Sequence, residues 1–391
     1  MNPSFTTADY IRTVSTVAEN YGFQPLQHII KDAECKNCTR PLPHTVTAKD
    51  CKKDNLHGLL AGGTATYCES SLYALERPVF TYDITSVPRS GDIAVSYHIF
   101  NVEKSIGEAL LIQSLRSLVT ELGYIDYSIR INSLGDNESI TRYHRELANF
   151  LRKRIDYLPP AARELMKEHV MLALLHLIEK EHELAHKSPS PLEFLSDFSR
   201  KHFREIIEYL DISDAPYEID PKLIGHHDCY SDALFSIEVQ DENYPNQSNL
   251  QIRGGRYDNF MHKHTGNKVS ATGAVAILQN RKTPARVSRP RLPVPSVYIV
   301  HLGFGPKIRT LLLIDQLRNA GIPVIQNVAS DSLSEQLRDA EMKECPYTLI
   351  IGQKEFVEGS VILRDMRARN QETIPLDQVV RKLKRATASV S

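Results

Sequence analysis

Residues 107–131 read GEALLIQSLRSLVTELGYIDYSIRI, and the two halves of this stretch obey different periods. Leu111, Ile112, Leu115, Leu118, Val119 and Leu122 recur at i, i+4 and i+7, the stripe of an amphipathic helix, and Gly123 ends it. Beyond the glycine, Ile125, Tyr127, Ile129 and Ile131 alternate with Asp126, Ser128 and Arg130, the period-two pattern of a half-buried strand. A long helix feeding directly into a strand makes this an α/β (α+β) chain.

The same two periods organise the flanks. A helix is expected over 8–21, from Tyr10, Ile11, Val14, Val17, Ala18 and Tyr21, and strands over Val79–Ile84 and Val95–Val102. Between them, residues 23–75 are irregular. Residues 136–214 are rich in Leu, Glu, Lys and His and read as helices broken at Pro159–Pro160 and Ser188–Pro191. Strands and glycines return from Tyr217 to Ala276, so the helical block is an insertion within one α/β domain. Residues 281–291 (RKTPARVSRPR) carry five basic and no acidic residues and form a linker. After it come strand Val297–His301, helix 306–320, strand Val324–Val328, helix 332–343, and strands Tyr347–Ile351 and Ser360–Leu363. That rhythm predicts a small α/β domain with a mostly parallel sheet. The expected units are 1–134 with 215–280, the insertion 135–214, the linker 281–295 and the domain 296–391.

Composition bounds the function. The 391 residues suit two or three domains at roughly 100–200 residues each. Apolar residues make up 41% and charged residues 24%, which excludes wholesale disorder. Lys+Arg (47) nearly cancels Asp+Glu (48), so binding to nucleic acid by bulk charge is excluded while local basic patches remain. No apolar run approaches the ~18–20 residues of a membrane span, and the first residues do not read as a signal peptide. Six cysteines give no secreted disulfide framework. A soluble, cytoplasmic protein without membrane contact is expected.

Four ordered blocks then narrow the reading. They are Tyr127–Asp136 (YSIRINSLGD), Tyr217–Ile224 (YEIDPKLI), Gly254–Asp258 (GGRYD), and Ser332–Ala340 (SLSEQLRDA) with Gly359–Asp365 (GSVILRD). Together they resemble histidyl-tRNA synthetase over nearly the whole chain. The resemblance implies a class II synthetase-like antiparallel sheet core with a helical insertion, a C-terminal α/β anticodon-binding-like domain, and a homodimer. It also implies a substrate-pocket remnant of Glu103, Asp228, Tyr230, Gly254, Gly255 and Tyr257. On physical grounds, paired glycines in a strand signal close approach of the backbone to a ligand or to a neighbouring strand.

The chemical residues of that family do not follow the scaffold. Adenylation needs cations against the α-phosphate and a carboxylate against the amino acid's ammonium. Where the family's motif 2 has its arginine, this chain has Ile84 or Thr85; where the histidine-specific signature begins with one, it has Gly225. The ATP-clamping Glu-Arg pair of motif 3 becomes Gln279 and Asn280, and Arg281 serves only with a one-residue slip. The ammonium-binding glutamate is Gly62, the imidazole-site glutamine is Ile99, and the motif 1 proline is Ile29. Each such loss typically costs ~10²–10³ in rate. The expectation is a non-catalytic paralogue that binds tRNA or another RNA, or regulates a protein partner. The alternative is an active histidine–tRNA ligase with divergent motifs, which alone would require ATP and Mg²⁺.

RNA contacts are expected from the linker residues Arg286, Arg289 and Arg291, and from Gln336, Arg338 and Glu355, at the positions the resemblance gives to anticodon reading. Two metal readings compete. His182-Glu183-Leu184-Ala185-His186 spells a zinc-hydrolase helix, but its charged flanks and the Ser-Pro break that follows fit a solvated helix end. Cys35, Cys38 and Cys51, with His44 or His57, have zinc-knuckle-like spacing without a complete four-cysteine pattern and read as free loop thiols. No metal ligands are assigned.

Overall fold

A computed structural model of the chain describes residues 7–33, 64, 67, 68, 72, 77–87, 92–225, 229–239, 250–279, 296–328 and 330–388. Its first half is built on eight strands: β1 (Gln24–Pro25), β2 (Val79–Ser86), β3 (Ile93–Phe100), β4 (Tyr127–Ser133), β5 (Tyr217–Ile219), β6 (Ser231–Val239), β7 (Leu250–Arg256) and β8 (Ala271–Leu278). They lie in the order β1-β2-β3-β8-β7-β6-β4-β5. The inner pairs are antiparallel, and the edge pairs β1–β2 and β4–β5 are parallel. This is the class II synthetase-like sheet expected from the sequence. Ile125, expected inside the strand, precedes β4 and is 90% exposed.

One helix organises what packs on this sheet. Helix α1 spans Thr7–Asn20, α2 Leu26–Ala33 and α3 Ile106–Glu121. The sequence gives α3 one apolar stripe, yet the structure buries it on nearly every side, from Ile106 to Leu115 and again from Ser117 to Val119. A helix covered all round must satisfy each of its polar side chains internally. Ser114 donates back to the Leu111 carbonyl at 2.8 Å. Glu108, Gln113 and Ser117 reach other elements.

The residues expected to form a helical insertion supply α4 (Asn137–Arg152), α5 (Pro160–Glu168), α6 (Val170–Glu179), α7 (Glu183–His186) and α8 (Asp197–Ile212). The apolar faces of α4 to α7 form a core of their own around Tyr143, Leu147, Leu174 and Leu177. Helix α8 behaves differently: Phe203, Ile206, Tyr209 and Leu210 join the main core against α3. Helix α9 (Asp258–Thr265) follows β7.

The C-terminal part alternates β9 (Val297–His301), α10 (Phe304–Asn319), β10 (Val324–Gln326), α11 (Leu333–Met342), β11 (Tyr347–Ile351), α12 (Gln353–Glu358), β12 (Ser360–Asp365), β13 (Gln371–Pro375) and α13 (Val379–Ala388). The strand order is β10-β9-β11-β12-β13. Only β10-β9-β11 is parallel, and β12 and β13 return antiparallel, so the sheet is mixed rather than mostly parallel. The reason is the short α12 connection, too brief for a parallel crossover. No helix among the described residues is long and apolar enough to cross a membrane.

The two halves share a buried polar seam. Asp315 of α10 accepts hydrogen bonds from Tyr21 (2.7 Å), from Ser117 and Gln113 of α3, and from Arg318 (3.4 Å). Arg318 also pairs with Glu121 at the end of α3, and Gln326 donates to the Tyr21 carbonyl at 3.1 Å. Asp315→Ala would strand several of these donors, each buried unmet group costing about 1–3 kcal/mol. We expect a lower melting temperature and faster amide exchange in α3 and α10 together. Unchanged exchange at both helices would show that the seam does not hold the halves.

Candidate functional site

The glycines of the 254–258 block lie in the middle of the first sheet. Gly255 pairs with Gly273, and Gly254 with Ala274, across β7 and β8. A Cβ on Gly254 would sit 2.5 Å from the Ala274 Cβ and 2.6 Å from the Gly273 carbonyl oxygen. On Gly255 it would sit 2.6 Å from the Ala233 carbonyl oxygen and 2.9 Å from the Tyr230 ring. Neighbouring backbone and the protein's own rings therefore account for both glycines.

Those rings continue across the sheet face. Tyr257 is fully buried, and its hydroxyl lies 2.7 Å from Nδ1 of His98. The His98 ring stacks on Phe100, which stacks on Tyr67 at a centroid distance of 3.7 Å. Burial lowers the His98 pKa to about 3, so the ring is neutral, and its Nε2 finds no hydrogen-bond partner among the described residues. Burial likewise pushes the Tyr257 hydroxyl far above its ordinary range. The stack itself is apolar and aromatic, and Arg253, opposite Val275 across β7 and β8, lies on the same face of the sheet.

One position at which the resemblance expects charge, Gly225, is closed. A Cβ added to Gly225 would fall 2.1 Å from the Tyr230 ring. That ring occupies the path a longer side chain would take. Ile84 is buried in β2 opposite Val95, Thr85 is exposed opposite Ala94, and Gln279 is half-buried after β8. Glu103 does not join the tyrosines: its exposed carboxylate pairs with Lys268 at 3.5 Å, at a cavity that neither Tyr230 nor Tyr257 lines. Gly62, Asp228 and Asn280 lie outside the described residues, as do Arg286, Arg289 and Arg291 and the cysteines Cys35, Cys38 and Cys51.

The charge that the block does carry is buried and structural. Arg256 binds Glu108 through both arms of its guanidinium, at 2.6 and 2.9 Å, and donates to the Val102 carbonyl at 3.2 Å. His202 of α8 reaches the same carboxylate at 3.0 Å, and Asp258 flanks the guanidinium at 3.3 Å. Burial alone would raise the Glu108 pKa, but Arg256 and His202 outweigh it and hold the carboxyl at about 2. Burial likewise opposes charge on His202, and Glu108 overrides it, raising the imidazole pKa. Sequence reading missed this cluster; its one local signal is an acid, Glu108, within the run of apolar residues that becomes α3.

The C-terminal candidates separate. Gln336 is 0% exposed; its amide accepts from the His301 N–H at 3.1 Å and donates to the His301 carbonyl at 2.9 Å. It splints β9 to α11, which corrects its expected place on an RNA-reading surface. Glu355 is half-buried and accepts from the Gly352 N–H at 3.0 Å, capping α12. Arg338 is exposed. In the 182–186 run, His182 lies just before α7 and accepts from the Leu184 N–H at 3.2 Å, Glu183 pairs with Lys187, and His186 meets Lys222. His182 therefore stands outside the helix that would have to align it with His186. No group of three or more His, Cys, Asp or Glu among the described residues could hold a metal ion.

Comparison with known proteins fits the two halves. Residues 298–386 match the family model described as an anticodon binding domain. The histidine–tRNA ligase of Dehalococcoides mccartyi is 28% identical over 342 residues, covering 83% of this chain and 80% of that protein. That of Thermosipho melanesiensis is 27% identical over 313 residues, covering 78% and 72%. Among solved structures, apo S. aureus histidyl-tRNA synthetase aligns with a TM-score of 0.47 at 16% identity, over 91% of this chain and 94% of that one. The protein thus combines a class II aminoacyl-tRNA-synthetase-like sheet with an anticodon-binding domain. Over most of its length its sequence is similar to the histidine–tRNA ligases.

The buried cluster makes a pH prediction. Glu108 has a folded pKa below its ordinary 4.5, so its stabilisation is in place above that value and fades as pH falls toward 2. His202 has a folded pKa above its ordinary 6.5, so its stabilisation is in place below that value and is lost as pH climbs through the folded pKa. The melting-temperature gap between wild type and His202→Gln should be largest below pH 6.5 and shrink as pH rises through the raised folded pKa. A gap constant with pH would show that folding leaves the His202 pKa unshifted, and a gap that grows with pH would show that the folded ring is neutral.

Proposed function

We propose that the chain is a non-catalytic relative of histidyl-tRNA synthetase that binds tRNA or another RNA, or regulates a protein partner, as a cytoplasmic homodimer. What carries the reading is the contact between Gly225 and Tyr230: the ring fills the space in which the family's first signature arginine would extend. With Ile84 or Thr85 at the motif 2 position, and Gln279 and Asn280 at motif 3, the α-phosphate of ATP would meet no cation at any of the three places. Each loss of this kind is worth ~10²–10³ in rate. Asp228, Tyr230, Gly254, Gly255 and Tyr257, without Glu103, are then the remnant of a pocket whose chemistry is gone.

The second reading, an active histidine–tRNA ligase using ATP and Mg²⁺, is favoured by the names of the relatives. RNA binding is compatible with both. It is assigned to the anticodon-binding domain, with Arg338 and the linker residues Arg286, Arg289 and Arg291 as phosphate contacts; Glu355 serves through its cap.

Fluorescence anisotropy of labelled tRNA against the full chain tests the binding. Wild type should bind, and joint Arg286→Ala, Arg289→Ala and Arg291→Ala should weaken it. The slope of log affinity against log salt should fall by about 0.7–0.9 for each phosphate contact removed. Unchanged affinity and slope would remove the linker from the interface, and no binding by wild type would remove the RNA reading.

A further inference from the structure

Two exposed aromatic rings border one cavity. Phe198 on α8 is 67% exposed and Phe304 at the start of α10 is 37% exposed, and both line a cavity of about 580 Å³. Three parts of the chain meet there: the turn into α3, helix α8 and the C-terminal domain. The volume lies within the range of about 300–1,000 Å³ usual for small-molecule sites.

The C-terminal domain presents the carboxyl end of β9 to this cavity. Val297, Ile299 and Val324 pack in the core that contains Leu311 and Ile314 of α10. Tyr298, Val300 and Ile325 pack instead with Leu337 and Ala340 of α11. Helices α10 and α11 therefore cover opposite faces, and the chain leaves β9 and β10 in opposite directions. Open α/β sheets take their ligands outside the strands' carboxyl ends. Phe304, just beyond β9, and Asp331, beyond β10, both line the cavity.

Its polar groups narrow the ligand. Lys104 and Lys307 both bind Asp331, at 2.6 and 2.7 Å, tying the turn before α3 to the C-terminal domain. Ser105 donates to Glu205 across to α8. The lining holds three lysines, three carboxylates and His202, whose charge Glu108 pairs, a balance that does not favour a polyanion. Flat apolar rings flanked by both donors and acceptors fit an uncharged planar heterocycle whose edge carries both kinds of group.

We propose that this cavity binds one unstacked nucleobase on Phe198 and Phe304, supplied either by a single-stranded stretch of RNA or by a free nucleoside. The RNA form rests on the RNA-binding reading above; the free form does not.

The full-length wild type, Phe198→Ala, Phe304→Ala and Phe198→Tyr are compared by anisotropy with labelled tRNA and by saturation-transfer NMR with adenosine, guanosine, cytidine and uridine. Both rings are exposed enough for the alanine variants to fold, which melting curves verify. If the base comes from RNA, each alanine variant weakens tRNA binding roughly 5- to 150-fold, Phe198→Tyr retains it, and nucleosides give no signal. If the ligand is free, nucleoside signals in wild type fade in both alanine variants and persist in Phe198→Tyr, whether or not tRNA binds. If tRNA binds wild type and both alanine variants equally, with no ring-dependent nucleoside signal, the proposal is overturned and the RNA reading stands. If wild type binds neither probe, both fall.

Discussion

Helix α3 sends most of its buried polar side chains into other parts of the protein. Glu108 takes Arg256 from the end of β7 and His202 from α8. Gln113 and Ser117 reach Asp315 in α10, and Ser117 also meets Tyr21, just past α1, at 2.9 Å. Four separate stretches of chain are thus referred to one helix by groups that cannot be left unmet once water is excluded. The apolar contacts of α3 supply driving force without direction, and these few polar contacts select which surfaces meet. That division explains why the main core runs without a break from the first sheet through α3 and α10 to the second.

Much of this architecture was legible because the two hydrophobic periods are strong. The helix over 107–122, the strands at 79–84 and 297–301, and the alternating C-terminal elements depend on local pattern, which a sequence displays directly. What escaped depends on long-range partners. Ile125 continues the alternation of β4 in sequence, but the strand begins only at Tyr127. The β11–α12–β12 return is antiparallel because of connection length rather than composition. Arg256 and Glu108 are 148 residues apart, and neither alone announces a buried pair.

The candidate site divides along the same line. Paired glycines were legible as a place of close approach, but whether a ligand or the protein itself approaches is a matter of packing. Here Tyr230, Phe235 and the neighbouring strand fill the space. Gln336 carries a polar amide within the 332–340 block, yet its hydrogen bonds go to the backbone of His301 in β9 and of Ser330. The scaffold glycines and tyrosines keep the sheet face closely packed, a role that does not depend on the catalytic arginines. A chain can therefore keep the one while losing the other without loss of fold.

Histidine-dependent ATP–pyrophosphate exchange tests this separation of scaffold from chemistry most directly. It reports formation of the aminoacyl adenylate alone and does not depend on which RNA is recognised. With ATP, Mg²⁺ and histidine at saturating concentration, the full chain should give no exchange above the rate without histidine. Gly225→Arg, obstructed by the Tyr230 ring, should not restore it. Robust exchange by the wild-type chain would contradict the account and identify the protein as a working ligase with its cations supplied from other positions.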